Sequence, residues 1–337
     1  MWERGVDVVI PIHGGRALTE RCLTALAQQT LAHRVIVVDN ASPDDSVTAL
    51  RERFPNVTVL TLHTNRGYAA ACNTGLAHGT GEAVVLLNND VVIPPRFLER
   101  LLAPMDADTH IGSVAAVLLR PGESVIDSAG LAADPTLAGF PRLQGQPERS
   151  ATTRHPTLLG PAGAAGAYRR AALAEVGGLD ERIFLYQEDL DLALRLCAAG
   201  WSSIVAHDAR AVHLGSATAG RGSSLQRRHA AVARGYLLRR YGIMRGRRAV
   251  RALATEALVV AGDAALSHDL AALRGRLAGW RAARQIVQRT APGDGLDPTI
   301  GFLSSMRLRR ADRSIAVAST PSGSLGLDNC GMLATKS

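Results

Sequence analysis

Residues 6–15 read VDVVIPIHGG, a β-branched run closed by one histidine and two glycines. The run predicts a buried strand over Val6–Ile12 and a tight turn after it. From Ala17 to Gln29 the apolar residues recur at helical spacing. Strand, turn and helix then repeat outward along the chain. HRVIVVDNAS (residues 33–42) gives a second strand ending at Asp39, SVTALRERF (46–54) a helix, and VTVLTL (57–62) a third strand. A further helix spans Asn65 to His78, and EAVVLL (82–87) is the next strand. This alternation predicts an α/β fold with parallel strands, whose ligand site lies at their carboxyl ends. Asp39 and Asp90 both stand at such ends. The Gly-x-Gly-x-x-Gly spacing that lets a helix approach a dinucleotide pyrophosphate is missing, which weakens an NAD or FAD reading.

The chain has 337 residues, room for one large α/β domain with extensions or for two smaller ones. With 47% hydrophobic and 20% charged residues it is globular, and 4% aromatics argue against a base-stacking single-strand binder. The formal charge is +8, and Lys336 is the only lysine, so the cations are almost all arginine forks suited to phosphate oxygens. Cys22, Cys72, Cys197 and Cys330 show no close pairing, which fits reduced thiols serving as small core hydrophobes in a cytosolic protein. No signal-type segment opens the chain, and no uninterrupted apolar run is long enough to span a bilayer. The sequence therefore predicts a cytoplasmic protein that would meet a membrane from its inner face.

Arg120 to Thr157 reads as irregular structure or a short hairpin. Small residues from Gly160 to Gly166 permit close backbone approach, Arg170 to Val176 is a helix, and a second helix runs from Glu188 to Gly200. SSIVAHDARAVHLGS is extended in character, its strand ending at His213. From Ala209 to Thr255 there is no acidic residue, while arginines crowd in from Arg221 to Arg251. Leu225, Val232, Tyr236 and Leu237 give a loosely amphipathic helix, either a membrane-surface or acceptor-diphosphate contact or a solvated helix packed back on the domain. Helical patterning persists to about Gln288, and the small polar residues from Ala311 onward predict disorder.

Three places could carry chemistry. Asn88, Asn89 and Asp90 interrupt the apolar run VVLLNNDVVIPP (84–95), and burying an unpaired carboxylate there costs several kcal/mol, roughly. Asp90 is either part of an Asn/Asp turn or an oxygen ligand to a hard divalent cation that bridges a diphosphate. Glu188 and Asp189 open a helix, as a capping pair or as a general base for a hydroxyl. Asp191 and Arg195, four apart, are expected to pair along its surface, with Leu190, Leu194 and Cys197 facing the core. His213 is a structural histidine or a second metal ligand.

In order, VVIPIHG, VIVVDNAS, NRGYAAACNTG, VVLLNND, GGLDERIFLYQEDLDLALRLCAAGW and AVHLGS resemble a family 2 glycosyltransferase of the GT-A fold, and more narrowly the bacterial rhamnosyltransferases. The resemblance spans about Val6 to Arg240. It implies a Rossmann-like, mostly parallel sheet flanked by helices. Residues 1–220 would be the catalytic domain, its nucleotide-sugar half about 1–115 and its acceptor half about 116–220; 221–290 would be a basic helical extension and 291–337 a loop and disordered tail. It also implies that Pro11, Asp39, Asn40, Asn65, Arg66, Gly67, Asn73, Asn88 and Asn89 line the nucleotide-sugar site. Asp90 and His213 would hold Mg2+ or Mn2+, and Asp189, with Glu188 in reserve, would be the base of a single inverting displacement. The implied substrates are a nucleoside-diphosphate sugar, dTDP-rhamnose first, and a glycan or polyprenyl-diphosphate-linked acceptor; no nucleic acid is expected. The competing readings are a nucleotidyltransferase, a non-catalytic sugar-nucleotide or glycan-binding module, a transferase using a UDP-sugar or a small natural-product acceptor and, last, a nucleic-acid binder through the arginine-rich stretch.

Overall fold

The computed structural model describes residues 2, 5–152, 158–215 and 223–309. The N-terminal alternation runs β1 (Val6–Ile12), α1 (Arg16–Leu26), β2 (Arg34–Asp39), α2 (Ser46–Arg53), β3 (Thr58–Thr61), α3 (Tyr68–His78) and β4 (Ala83–Leu87). These strands lie parallel in the order β3-β2-β1-β4. Ile12 stands opposite Asp39, and Asp39 opposite Thr61, so the strands end level with one another. Then follow β5 (Val91–Val92), α4 (Phe97–Ala107), β6 (Ile111–Leu119), β7 (Ile126–Ser128), β8 (Leu131–Ala133), β9 (Gly139–Pro141), a 3-10 turn over Glu148–Thr152 and β10 (Ala165–Arg169). The chain continues through α5 (Arg170–Val176), α6 (Glu188–Ala198), β11 (Ser202–His213), α7 (Ser224–Arg240), α8 (Arg247–Ser267) and α9 (Ala271–Ala282).

Beyond β4 the sheet departs from the expected parallel order. It continues β4-β10-β6-β11-β5, with β7 on β6, and β10 runs antiparallel to both its neighbours. Residues 160–166 were expected only to allow close approach; they bring the chain into the middle of the sheet, where the Ala165-Gly166-Ala167 segment fits between β4 and β6. Small residues have low strand propensity, which hides such an element from periodicity. Neither α4 nor β6 is among the predicted elements. Between β6 and β10, the expected short hairpin is present as β8 paired with β9.

Both faces of the sheet are covered, which explains its nearly continuous apolar strands. On one face, Ile10, Val85, Leu87 and Val114 meet Leu23 and Leu26 of α1 and Phe97, Leu98 and Leu101 of α4. On the other, Val9, Ile36, Val38 and Val84 meet Ala69 and Cys72 of α3 and Leu192 and Leu196 of α6. Cys22 and Cys72 are buried free thiols, and burial pushes the Cys22 thiol up to about 12; Cys330 lies outside the described residues.

A third core lies under α7, where Ala233, Tyr236 and Leu237 pack with Leu190 and Leu194 of α6. It corrects the expected surface pair on α6. Asp191 and Arg195 are buried together, with Arg195 Nε donating to Asp191 Oδ2 at 2.7 Å and the Tyr241 hydroxyl donating to Oδ1 at 2.8 Å. Helix periodicity cannot foresee cover from a helix some 40 residues downstream, about the separation of Asp191 from α7.

Part of the arginine-rich stretch is likewise buried or paired, while Arg228, Arg245 and Arg248 are exposed. Arg234 is buried against Glu256, Arg240 is buried, Arg227 pairs with Asp269, and Arg251 pairs with Asp134. Arg221 lies outside the described residues. α7 and α9 approach almost backbone to backbone, since a Cβ on Gly279 would sit 1.9 Å from the Val232 carbonyl oxygen. Part of the expected loop and tail is also packed: Ala291, Leu296 and Asp297 are buried, and residues 302–309 are helical. The predicted disorder from Ala311 lies outside the described residues.

Candidate active site

The level ends of β1 and β2, with the earlier end of β4 beside them, create a shelf above the sheet. Asp39, 2% exposed, caps its own turn by accepting from the Ser42 amide at 3.1 Å. Asn40 binds the next loop. Its amide nitrogen donates to Asn65 Oδ1 and to the Gly67 carbonyl, both at 3.0 Å, and its oxygen accepts from the Arg66 amide at 2.8 Å. Pro11 lies opposite Val38 in the register, on the same shelf. Asn40, Asn65, Arg66 and Gly67 thus form one knot. Asn73 stands apart: its side chain donates to the Leu179 carbonyl and accepts from the Leu179 amide, both at 2.9 Å, so it fastens α3 to the loop before α6.

Gly67 is fixed by space and by backbone. Its φ is +86°, and an added Cβ would lie 2.3 Å from the Phe184 carbonyl oxygen, the acceptor of the Tyr68 amide. Gly67→Ala is expected to cost about 2–4 kcal/mol of stability, read by urea melts, because overpacking and left-handed strain add. Full native stability in that variant would show that this loop does not need the contact.

Two buried strand carboxylates show opposite characters. Asp7, at the amino end of β1, has both oxygens satisfied: Oδ1 accepts from Arg34 Nε at 2.9 Å, and Oδ2 from the Gly81 amide and Arg170 Nη2 at 2.7 Å each. Asp90, at the carboxyl end after β4, is 7% exposed, and its Oδ1 is buried without a hydrogen-bond partner. Its Oδ2 lies 3.5 Å from His213 Nε2. Beside it, Asn88 Oδ1 is also buried and unpartnered, whereas Asn89 is spent on Thr19 Oγ1 at 2.9 Å.

His213 arrives on β11, which pairs antiparallel with β5 directly after Asp90. Its Nδ1 is held at 2.7 Å by Asp127 Oδ2, a residue that sequence reasoning missed. Asp127 sits in the three-residue strand β7, and no spacing ties it to His213 until β6 brings the two together. Burial depresses the imidazole, but the hydrogen bond to Asp127 and then the Asp90 carboxylate outweigh it, raising the pKa to about 9. An orphaned hard oxygen beside an imidazole nitrogen is a donor set that fits Mg2+ or Mn2+. Among the described residues no three His, Cys, Asp or Glu side chains cluster closely enough to hold an ion by themselves.

Glu188 and Asp189 open α6 after two consecutive non-glycine residues in the left-handed region, Tyr186 (φ 69°) and Gln187 (φ 64°). Each costs about 1–3 kcal/mol, and such strain persists only where the surroundings fix it. Here Phe184 stacks on His229 with centroids 4.9 Å apart, Gln187 Nε2 donates to the Ala230 carbonyl at 3.3 Å, and the Tyr236 hydroxyl donates to Asp180 at 2.6 Å. Helix α7 thereby braces the loop that presents both carboxyls.

Asp189 is half-buried and accepts from the Gly163 amide at 2.9 Å and the Leu190 amide at 2.8 Å. Glu188 is deeper, with Oε2 buried and unpartnered. Burial raises the pKa of both, and for Glu188 the Asp189 charge adds to it. A cavity of about 10 Å³, room for roughly one water, lies against the pair between Tyr68, Tyr168 and Leu192.

The raised carboxyl of Glu188 has a thermodynamic sign. The folded state holds its proton to higher pH than the unfolded state, so stability is lost as pH rises from the ordinary carboxylate range through the raised value. Glu188→Gln is therefore expected to be more stable than the native chain at pH 8 by about 1–3 kcal/mol, with the gain shrinking at pH 5. Denaturant melts at the two pH values test this. A pH-independent difference would exclude titration of Glu188 as the cause.

One short segment joins the two carboxylate centres. The Gly163 amide donates to Asp189, and the next residue's carbonyl, Ala164, accepts from the Asn88 amide at 2.9 Å. Asp90 and Asp189 are thus tied through the entrance of β10.

Comparison with known proteins identifies the family and the fold. A model of the family described as "Glycosyl transferase family 2" matches residues 7–177. The chain is 31% identical over 225 residues to a Mycobacterium tuberculosis protein named N-acetylglucosaminyl-diphospho-decaprenol L-rhamnosyltransferase, a match covering 60% of this chain and 73% of that one. Among solved structures, it resembles the mannosyltransferase PcManGT from Pyrobaculum calidifontis in complex with GDP-Man and Mn2+ (TM-score 0.50, 22% identity, 83% and 87% of the two chains). It also resembles GalNAc-T7 with UDP, GalNAc and Mn2+ (TM-score 0.57, 15% identity, 74% and 50%). With its level strand ends, its strand-end carboxylate and these matches, the chain belongs to glycosyl transferase family 2, has the GT-A fold and is similar to the bacterial rhamnosyltransferases of that family.

Proposed function

We propose that this protein is an inverting, metal-dependent glycosyltransferase that moves a sugar from a nucleoside diphosphate to a hydroxyl of a lipid-linked glycan in cell-surface polysaccharide synthesis. The single observation that carries this reading is Asp90, whose buried, unpartnered oxygen is joined through Asn88, Ala164 and Gly163 to the raised carboxyl of Asp189. A diphosphate-metal subsite and a base for a hydroxyl would then face one another. The rhamnosyltransferase relative supports rhamnose as donor sugar, with dTDP-rhamnose first among the candidates, and its name, which includes a diphospho-decaprenol, supports a polyprenyl-diphosphate-linked acceptor.

In this reading the knot of Asn40, Asn65, Arg66 and Gly67 and the carboxylate of Asp39 form the wall against the nucleotide, with Pro11 beneath and Asn88 and Asn89 at its end. The Asn73 side chain only positions the loop before α6. Asp189 takes the proton of the acceptor hydroxyl as that oxygen bonds to the anomeric carbon and the bond to the diphosphate breaks on the opposite side. Being half-exposed, it can meet a hydroxyl; Glu188, buried behind it, is the reserve. Mg2+ or Mn2+ held by Asp90 and His213 would supply charge neutralisation on the departing diphosphate. Residues 1–220 form the catalytic unit in this reading, and 221–290 its helical brace.

The test is thermal stabilisation by dTDP, UDP and GDP, with and without Mn2+, followed by transfer from the sugar derivatives of the nucleotide that binds. Tight binding raises the melting temperature by linkage. Manganese-dependent stabilisation by one nucleotide is expected. Absence of any response would favour a non-catalytic module.

A further inference from the structure

Helix α8 is amphipathic in the wrong sense for a helix on a water-exposed surface. Its buried face carries Thr255, Glu256 and Asp263 with Ala252. Its outer face carries Val250 (75% exposed), Leu253 (58%) and Leu258 (52%), with exposed Ala254, Ala257, Ala261 and Ala265 among them. Those positions fall at intervals of three and four, one continuous stripe along a 21-residue helix about 30 Å long, and no charged residue interrupts it. The acidic residues that would ordinarily keep such a face wet are turned inward, Glu256 onto Arg234 and Arg276 at 2.8 and 2.6 Å. Around the turn, Leu270, Leu273 and Leu277 are also exposed. A stripe of this size on a single helix marks a contact with something apolar.

The charges beside it say what. From 247 to 284 the only acidic residues are Glu256, Asp263 and Asp269; the first two are buried, and Asp269 is bonded to Arg227. The outward charges are Arg248, Arg274, Arg281 and Arg284, all exposed. Against a second copy related by a two-fold axis, the same arginines would face one another with no exposed acid to meet them. An anionic lipid surface offers both complements, acyl chains for the stripe and headgroup charge for the arginines. No helix among the described residues is long and apolar enough to cross a membrane, so the helix would lie in the interface plane.

We infer that the outer face of α8, with the exposed leucines of the turn and α9, is a docking surface for an anionic lipid bilayer. This surface shares Arg248 with the arginine-rich run singled out in the sequence, but its apolar stripe lies on α8 rather than α7, and Arg227, Arg234, Arg240 and Arg251 of that run are paired or buried. The inference draws its purpose from the lipid-linked acceptor proposed above. Helix α7 braces the Phe184–Gln187 loop and α9 packs closely on α7, so docking would hold Asp189 at a set height above the headgroups.

The test is flotation of the full chain with vesicles of phosphatidylcholine containing phosphatidylglycerol, and it needs no donor, metal or acceptor. The native chain is expected to float. Leu253→Glu together with Leu258→Glu is expected to lower partitioning at least about tenfold, since each loses the burial of a leucine, while the melting temperature holds because both positions are exposed. Arg248→Gln with Arg274→Gln is expected to lower it several-fold on anionic vesicles and little on pure phosphatidylcholine, which tests the surface through a second pair of side chains. A native chain that stays with the unbound fraction, or variants that float like it, would overturn the inference. So would a native dimer that the leucine variant splits, since a second copy would then cover the stripe. Failure here leaves nucleotide-driven stabilisation untouched, so the two readings fall separately.

Discussion

Asp189→Asn is expected to slow sugar transfer by about 10²–10⁴-fold while nucleotide-driven stabilisation stays within the native range, because an amide can no longer take the acceptor proton. The substitution is mild structurally: Asp189 is half-buried, and its oxygens accept from the Gly163 and Leu190 amides, of which one can still be served by the amide oxygen. The pH profile carries a second signature. Burial raises this carboxyl, so kcat/KM of the native enzyme is expected to climb with pH on a limb above the ordinary carboxylate range, where the base loses its proton. In the variant that limb flattens. Retention of more than a tenth of native activity, or an unchanged limb, would move the role to Glu188, and Glu188→Gln would then carry the loss.

The second large effect belongs to Asp90→Asn, with Asp7→Asn as its control. Asp90→Asn is expected to abolish the manganese dependence of nucleotide stabilisation and to lower transfer by about 10²–10³-fold or more, while lowering the melting temperature of the free protein less than Asp7→Asn does. The reason is the unpartnered Oδ1, which contributes no hydrogen bond to the fold. Asp7→Asn is expected to do the reverse. Its buried carboxylate is paired with the partly exposed Arg34 and Arg170 and with the Gly81 amide, so loss of the charge costs about 1–3 kcal/mol and nothing in donor affinity per folded molecule. Were Asp90→Asn to destabilise the fold as Asp7→Asn does, and metal dependence to survive, Asp90 would be a structural carboxylate.

What could be read in the sequence was whatever obeys local periodicity. The four parallel strands and the helices between them follow from β-branched runs and helical spacing, and their ends mark Asp39, Asn40 and Asp90 without any knowledge of neighbours. The entrance of α6 is equally plain, as three acids at the start of an apolar helix. Illegible were features that depend on distant cover. Asp191 and Arg195 look like a solvent pair until α7 lies on them, Asp127 is one acid in a three-residue strand, and Asn73 matches a motif while serving a loop more than 100 residues later. Strand β10 escapes for a different reason, since alanine and glycine carry no strand signal and gain their place only between two partners already spaced for them.

That strand also sets the order in which the molecule can be assembled. Ala165 pairs with Leu87, about 80 residues back, so while the first half of the chain leaves the ribosome the edge of β4 has no partner. The edge of β6 waits as well, for β10 on one side and for β11 on the other. A nascent chain that ends before residue 169 therefore carries open, apolar strand edges, the condition under which chains join edge to edge rather than fold. Slower translation or lower chaperone occupancy over residues 88–169 is therefore expected to lower the yield of soluble protein.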